Sequence, residues 1–239
     1  MSEARAGFEL GRVRQVARRP AATAAPDIGH AVTALAGLGL AGDRHADPLS
    51  PRQLLLAGAD TYALHGLAAG TLRENLLLET DLAGLPSGSL LRVGATAVLR
   101  LMFPCEPCAR LDMARPGLVR AIGQRRGVLA RVVIGGQIMP GDRVSLLAAR
   151  LPAWPADWRA RIALVLAAMP PQHVIGYGQL AHVGGIPAAY CRAFPRAIAA
   201  LGPGQSARAL GQRSRSDQPR WMGAALFADE ETAFAAAGL

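Results

Sequence analysis

Through about residue 150, apolar residues come in short alternating or continuous blocks separated by Gly and Pro; beyond that point they recur at helical spacing. Gly11-Arg12-Val13-Arg14-Gln15-Val16 alternates and then meets Arg18-Arg19-Pro20, the pattern of a strand with one covered face. Residues 31–40 are apolar and punctuated by glycine, ending at Gly42-Asp43-Arg44-His45. Leu54-Leu55-Leu56 predicts a buried strand, and residues 60–65 predict a short helix closed by Gly66. Residues 75–79 are again strand-like, with Leu85-Pro86-Ser87-Gly88 as a turn. Two apolar runs, 90–93 and 98–103, flank Gly94-Ala95 as a hairpin. Runs at 128–134 and 143–147 finish the set, with turns at Gly135-Gly136 and Pro140-Gly141-Asp142. Many short strands joined by Gly/Pro turns predict a closed or partly closed β-barrel.

From Leu151 the period changes. Pro152-Ala153-Trp154-Pro155-Ala156-Asp157-Trp158 reads as a linker running into a helix, with Asp157 an acceptable early-turn anion. Ile162, Val165, Leu166 and Met169 then share a helical face, and Pro170-Pro171 ends it. Val174-Ile175-Gly176 is a short extended piece, 177–183 a second helix and Gly184-Gly185 a turn. Pro187 opens a third helix reaching about residue 201, and residues 226–239 read as a closing helix. Helix, tight glycine turn, helix is the helix-turn-helix arrangement. The expected organisation is therefore multi-domain: a mainly-β barrel over residues 1–150, then a small α-helical domain over 151–239.

Composition narrows the class. The chain is 51% hydrophobic and only 18% charged, a globular balance and not a disordered one. Every basic residue is Arg, and the net charge of +9 favours anionic partners without choosing among nucleic acid, a phosphorylated cofactor or a membrane surface. The longest run without Arg, Asp or Glu, 162–191, is broken by Pro170-Pro171 and several glycines, which argues against a membrane span. The first 19 residues carry Glu3 and Glu9 among arginines and have no apolar core, unlike a signal peptide. Three cysteines do not make a disulfide framework. A soluble, cytoplasmic protein with no membrane partner is the expectation.

The candidate chemistry concentrates in Phe103-Pro104-Cys105-Glu106-Pro107-Cys108-Ala109-Arg110-Leu111. The run before it, residues 98–103, alternates around Arg100 as a half-buried strand does, and the prolines stop it and fix a turn. Cys108 is thus expected on a rigid loop at a strand end, with Arg110 favouring its thiolate, the form that attacks electrophiles and binds soft metals. Four readings stay open on the residues alone. They are a redox C-x-x-C, half of a zinc site, two buried hydrophobes, and a single functional thiolate.

Gly42-Asp43-Arg44-His45, Arg52-Gln53, Arg73-Glu74-Asn75-Leu76, Pro104-x-x-Pro107-Cys108-x-Arg110-Leu111 and Gly141-Asp142-x-Val144 occur in the order seen in MOSC domains. These β-barrel modules are similar to the C-terminal part of molybdenum-cofactor sulfurase, and the likeness covers roughly residues 8–148. In that family the cysteine of the Pro-Cys block is the functional thiol, which is Cys108 here; where this chain has Cys105 the family commonly has Arg. The resemblance implies a thiolate that carries sulfur, as a persulfide, or ligates the molybdenum of a molybdopterin cofactor. It further implies Arg44, Arg73 and Arg110 as cations for the cofactor phosphate, with Asp43, His45 and Asn75 in the same pocket. Reduction of N-hydroxylated bases is one activity of such relatives. No flavin, nicotinamide or iron–sulfur motif accompanies it, so a separate electron donor or sulfur donor protein is implied.

The second segment resembles the winged-helix DNA-binding domain of O6-alkylguanine alkyltransferases and alkyltransferase-like proteins. The likeness rests on Ile175-Gly176-Tyr177-Gly178-Gln179-Leu180-Ala181, Gly185-Ile186-Pro187 and Arg192-Ala193-Phe194-x-x-Ala197, with one extra residue near Tyr190-Cys191, and covers about residues 158–201. It implies DNA contacts by Tyr177, Gln179, Arg192 and Arg196, with Tyr177 helping to rotate a nucleotide out and Arg192 filling the vacated stack. The acceptor Pro-Cys-His-Arg block is missing, since 201–223 holds neither Cys nor His. Alkyl transfer is therefore not expected, and a DNA-binding or alkylation-damage-sensing role is. Between residues 158 and 228 eight arginines face a single acidic residue, Asp217, a stretch suited to phosphates or to a solvated basic surface.

Overall fold

The computed structural model describes residues 7–21, 25–211 and 213–230. These fall into two compact units, one made of residues up to Pro48 with Arg52–Trp154, the other of Leu49–Pro51 with residues from Pro155 on.

The first unit is a seven-stranded mixed barrel. Its strands are β1 (Phe8–Arg18), β5 (Leu54–Gly58), β6 (Leu76–Leu78), β7 (Ser89–Val93), β8 (Ala97–Pro104), β9 (Val128–Ile134) and β11 (Arg143–Arg150). The order β11-β7-β8-β9-β5-β6-β1 is closed by pairing of β1 with β11, which removes the open sheet edges. Only β5–β6 is parallel within this ring. β2 (Asp27–Gly29) extends the end of β1, while β3 (Val32–Leu35), β4 (Gly39–Leu40) and β10 (Gly136–Ile138) form a smaller sheet. Helices α1 (Ala59–His65), α2 (Ala109–Ala114) and α3 (Leu118–Ile122) sit among the later connections, followed by a 3-10 turn at Gly123–Arg126. Gly66, at φ 55°, closes α1, where a side chain would be disfavoured.

The period-2 logic of a barrel holds, with one departure. Leu91, Val93, Leu99, Leu101, Val128, Ala130 and Val132 fill the interior, while Leu90, Val98, Leu147 and Leu151 pack on the outer side. β8 is therefore buried on both faces, not half-buried as its alternation around Arg100 suggests. The outer side is covered because the chain after β11 returns over it. Trp154 stacks on Phe103 at 6.5 Å and its amide donates to Ser87 Oγ at 2.8 Å. Arg100, 1% exposed, donates to the Pro152 carbonyl at 2.7 Å; its cross-strand neighbour Arg131, 2% exposed, donates to the Pro48 carbonyl at 3.1 Å. Buried guanidiniums are tolerated only when so bonded.

The second unit opens with α4 (Trp158–Ala168), N-capped by Asp157, whose carboxylate accepts from the Arg159 amide at 3.2 Å. β12 (Ile175–Gly176) leads into α5 (Tyr177–Val183) and pairs in parallel with β13 (Ala209–Leu210). The expected third helix is not continuous. A 3-10 turn at Ala188–Ala193 precedes α6 (Phe194–Ala199), and α7 (Pro203–Ser206) follows separately. Pro195, in the first turn of α6, has no amide to carry the earlier turn onward. Phe194 and Ile198 are buried, and Phe194 stacks on Trp158 at 5.9 Å and meets the edge of Tyr177 at 5.6 Å. The closing helix expected over 226–239 lies mostly outside the described residues. Among the described residues no helix is long and apolar enough to cross a membrane.

Gly127 couples barrel and site. Its φ is +129°, a Cβ there would be driven into the Leu56 carbonyl, and its own carbonyl accepts the Cys105 amide at 2.8 Å. Gly127→Ala should therefore lower stability by about 1–3 kcal/mol from the backbone conformation alone, read as a lower urea midpoint; an unchanged midpoint would contradict the account.

Candidate functional site

Where β8 ends, the two prolines set the local geometry. Pro104 closes the strand, Cys105 tucks back against Gly127, and Cys108 becomes the extended residue immediately before α2. Cys105 is buried and Cys108 partly exposed; neither is in a disulfide. Next to this corner a cavity of about 280 Å³ opens in the first unit. Six arginines line it: Arg19, Arg44, Arg52, Arg73, Arg110 and Arg126. His45, Cys105 and the apolar side chains of Leu54, Leu55 and Leu129 complete the wall, in which no carboxylate stands among the described residues.

The wall is held from behind by Asp43. Its side chain is fully buried and its carboxylate accepts from the Arg19 amide (2.8 Å), the His45 amide (2.8 Å), His45 Nδ1 (3.1 Å) and Asn75 Nδ2 (2.8 Å). Asn75, 1% exposed, also accepts from Arg19 Nη2 at 2.9 Å and from the Leu55 amide at 3.0 Å, and donates to the Ala17 carbonyl at 3.1 Å. One carboxylate and one amide thus tie the end of β1, the turn after β4, β5 and the approach to β6.

Charge states follow from this network. Burial pushes the Asp43 carboxyl upward, but the His45 and Arg19 hydrogen bonds and the Arg19 charge outweigh it and hold the carboxyl at about 2. Burial holds His45 below its ordinary value, opposed by the bond to Asp43. Arg44 Nη1 lies 2.9 Å from His45 Nε2, and a guanidinium can only donate. Nε2 therefore accepts, and Nδ1 carries the proton that Asp43 receives. His45 is a neutral imidazole of defined tautomer.

Arg73 reaches the cavity through an unusual backbone. Its φ is 60°, rare for a residue with a side chain. The strain is secured by its neighbours: Glu74, 2% exposed, accepts from the Tyr62 hydroxyl at 2.7 and 2.8 Å, and that hydroxyl also accepts the Leu72 amide at 3.2 Å. Burial raises the Glu74 carboxyl above its usual range. Burial also holds Arg73 below its ordinary value, and the charges of Arg110, Arg44 and Arg126 add to that; Cys108 acts on it in the opposite sense. The guanidiniums and the thiol share one electrostatic neighbourhood.

Of the residues singled out in the sequence, Arg44, His45, Arg73 and Arg110 line the cavity together. Asp43 and Asn75 stand behind the wall as its support. Cys108 lies at the corner near Arg73 and is not part of the lining, whereas Cys105 is. Arg19, Arg52 and Arg126 were missed. Arg52 sits in a matching block, but Arg19 and Arg126 lie in arginine pairs that sequence cannot distinguish from a basic surface. Among the described residues no three His, Cys, Asp or Glu side chains converge as a zinc site requires.

In the second unit, Arg192 and Arg196 are exposed, on the 3-10 turn and on α6. Tyr177 is partly buried against Phe194, and Gln179 spends its amide on the Met222 carbonyl at 2.6 Å. Two arginines of the basic stretch serve the interior. Arg161 is fully buried and donates to the Pro155 and Ala156 carbonyls, while Arg208 donates to the carbonyls of Leu166, Met169 and Pro170 at the end of α4.

Residues 52–145, within the first unit, match the family model of the MOSC domain. A solved structure described as a hypothetical protein is similar, with a TM-score of 0.51 and 18% identity over 82% of this chain and 91% of that one. At that identity the likeness speaks for the fold. YiiM from Geobacillus stearothermophilus gives a TM-score of 0.47 at 17% identity, covering 80% of this chain and 97% of its own. YiiM from Escherichia coli gives 0.47 at 18%, covering 80% and 94%. No curated protein matches the chain.

Asp43→Asn tests the support of the wall. Because the folded value, about 2, lies below the ordinary 3.8, the carboxylate's contribution is complete above about pH 4 and is lost as pH falls toward 2. The shift corresponds to about 2 kcal/mol. Urea unfolding should show the variant weaker at neutral pH and the gap closing in acid; a pH-independent gap would contradict the assignment.

Proposed function

We propose that the first unit binds a molybdenum cofactor in the arginine-lined cavity and uses Cys108 as its thiolate. The observation that carries this reading is the wall itself: six guanidiniums, one neutral imidazole and no carboxylate, beside a Pro-Cys corner, in a MOSC domain. MOSC domains are generally associated with molybdenum-cofactor chemistry. The donor set fits such a group, since its phosphate takes charge-assisted bonds from arginine and its metal takes sulfur. Arg44, Arg73 and Arg110 would hold the phosphate, His45 would present a ring of fixed tautomer to the pterin, and Cys108, the partly exposed thiol, would ligate molybdenum.

When bound, the cofactor supplies a two-electron redox centre. The reaction proposed is reduction of an N-hydroxylated base, in which the N–O bond breaks and two electrons and two protons yield the amine and water. The electrons come from a separate donor protein. The closely related alternative is a persulfide on Cys108, received from a sulfur donor protein. Asp43 and Asn75 position the wall in either case.

Metal and pterin analysis of protein from a cofactor-making host decides the first point. Molybdenum should approach one per chain, fall at least about tenfold in Cys108→Ser, and persist in Cys105→Ser. No molybdenum in any sample would remove the cofactor reading and leave the persulfide.

For the second unit, the proposed role is DNA binding by an alkyltransferase-like winged helix. It is supported by Arg192 and Arg196, which are exposed while Phe194 and Ile198 between and beside them are buried. Replacing both arginines by Ala should weaken duplex DNA binding and reduce the slope of log affinity against log salt by about 2. An unchanged slope would sink this role.

A further inference from the structure

The cavity holds more positive charge, on more separate elements, than one phosphate monoester engages. Arg19 is paired with Asp43 behind the wall at 4.0 Å. Arg44, Arg110 and Arg126 have no carboxylate partner within ion-pair distance among the described residues. Among the described residues their hydrogen bonds go to neutral groups: Arg44 to the His45 ring, Arg126 to the Glu106 carbonyl at 2.5 Å. They come from three places, the turn after β4, α2 and the 3-10 turn before β9, and all three line the cavity.

Arg19, Arg44, Arg73, Arg110 and Arg126 line one cavity, and the charges of Arg110, Arg44 and Arg126 act on Arg73 there. Like charges gathered in one partly buried cavity repel, and a folded protein retains such a set where an anion of matching charge is the occupant. A phosphate monoester brings about −2 and is well served by one or two bidentate guanidiniums.

We infer that the ligand of this cavity carries two adjacent phosphoryl groups, a pyrophosphate unit, engaged jointly by Arg44, Arg73, Arg110 and Arg126, which line the one cavity. The inference rests on the assignment above of this cavity as the ligand site. Such a unit occurs in a dinucleotide form of a pterin cofactor and in a nucleoside diphosphate, and both fit the same cations.

Titration calorimetry on the full chain, made in a host without the cofactor, tests it using inorganic phosphate and inorganic pyrophosphate at low ionic strength. Pyrophosphate should bind at least about tenfold more tightly than phosphate. Arg44→Gln and Arg126→Gln should each remove most of that preference, with circular dichroism confirming the fold. Equal affinities for the two anions, or a preference that survives both substitutions, would overturn the inference. Because this readout uses no metal, it stands or falls separately from the molybdenum content. The source is read in two further arms. Nucleoside monophosphate released by acid from protein made in a cofactor-producing host assigns the pyrophosphate to the cofactor. Tighter binding of a nucleoside diphosphate than of pyrophosphate, with no such release, assigns it to the substrate.

Discussion

A single buried carboxylate, Asp43, organises the site of this protein. It is surrounded by four donors from residues 19, 45 and 75, and it is the counter-charge behind a wall of guanidiniums, an imidazole, a thiol and apolar side chains. Without it, Arg19 would be a buried cation with only an amide oxygen for company, and His45 would lose the acceptor that fixes its tautomer. The carboxylate stays ionised because several hydrogen bonds and one positive charge together outweigh the cost of burial. That balance lets strands far apart in sequence, β1 and β5–β6, meet around one polar centre inside an apolar barrel.

The cavity is built so that polar backbone and polar side chains take different tasks. Asn75 closes gaps in the backbone pairing of β1 and β5, and Glu74 pins Tyr62, so that Arg73 between the loop and these buried residues is forced into its left-handed conformation and outward. The three consecutive residues Arg73, Glu74 and Asn75 therefore act as one device: a cation presented by two buried anchors. At the other side, Pro104 and Pro107 prevent β8 from continuing and leave Cys105 inside and Cys108 at the edge. Two thiols three residues apart thereby acquire different exposure. That difference in exposure is what the proposed role of Cys108 rests on.

Much of this was legible in the residues, for identifiable reasons. Strand and turn positions in the barrel follow from period-2 runs and glycine turns, both local signals, and the Gly94 hairpin and Gly66 cap are cases where the local signal was sufficient. Burial of β8 on both faces was not legible, because the cover comes from residues 151–154, over 50 positions from Arg100. The site divides in the same way. Cavity residues inside recognisable blocks, Arg44, His45, Arg73 and Arg110, could be named; Arg19 and Arg126 could not, since only the closed barrel brings their arginine pairs to the cavity. In the second unit a tally of arginines overstated the basic surface, because Arg161 and Arg208 are spent on backbone carbonyls at the two ends of α4. The third helix expected from Pro187 to about residue 201 runs through Pro195, where the structure instead starts a separate helix.

The central proposal is that the thiol at the cavity edge, and not the one in its wall, would meet the metal of a molybdenum cofactor held in the cavity. Molybdenum K-edge X-ray absorption on the loaded full chain, alongside Cys108→Ser and Cys105→Ser, reads this directly. The account predicts that Cys108→Ser loses one sulfur neighbour of molybdenum or fails to hold the metal, while Cys105→Ser retains the same sulfur shell. Loss of that sulfur in Cys105→Ser, or an unchanged shell in Cys108→Ser, would contradict it.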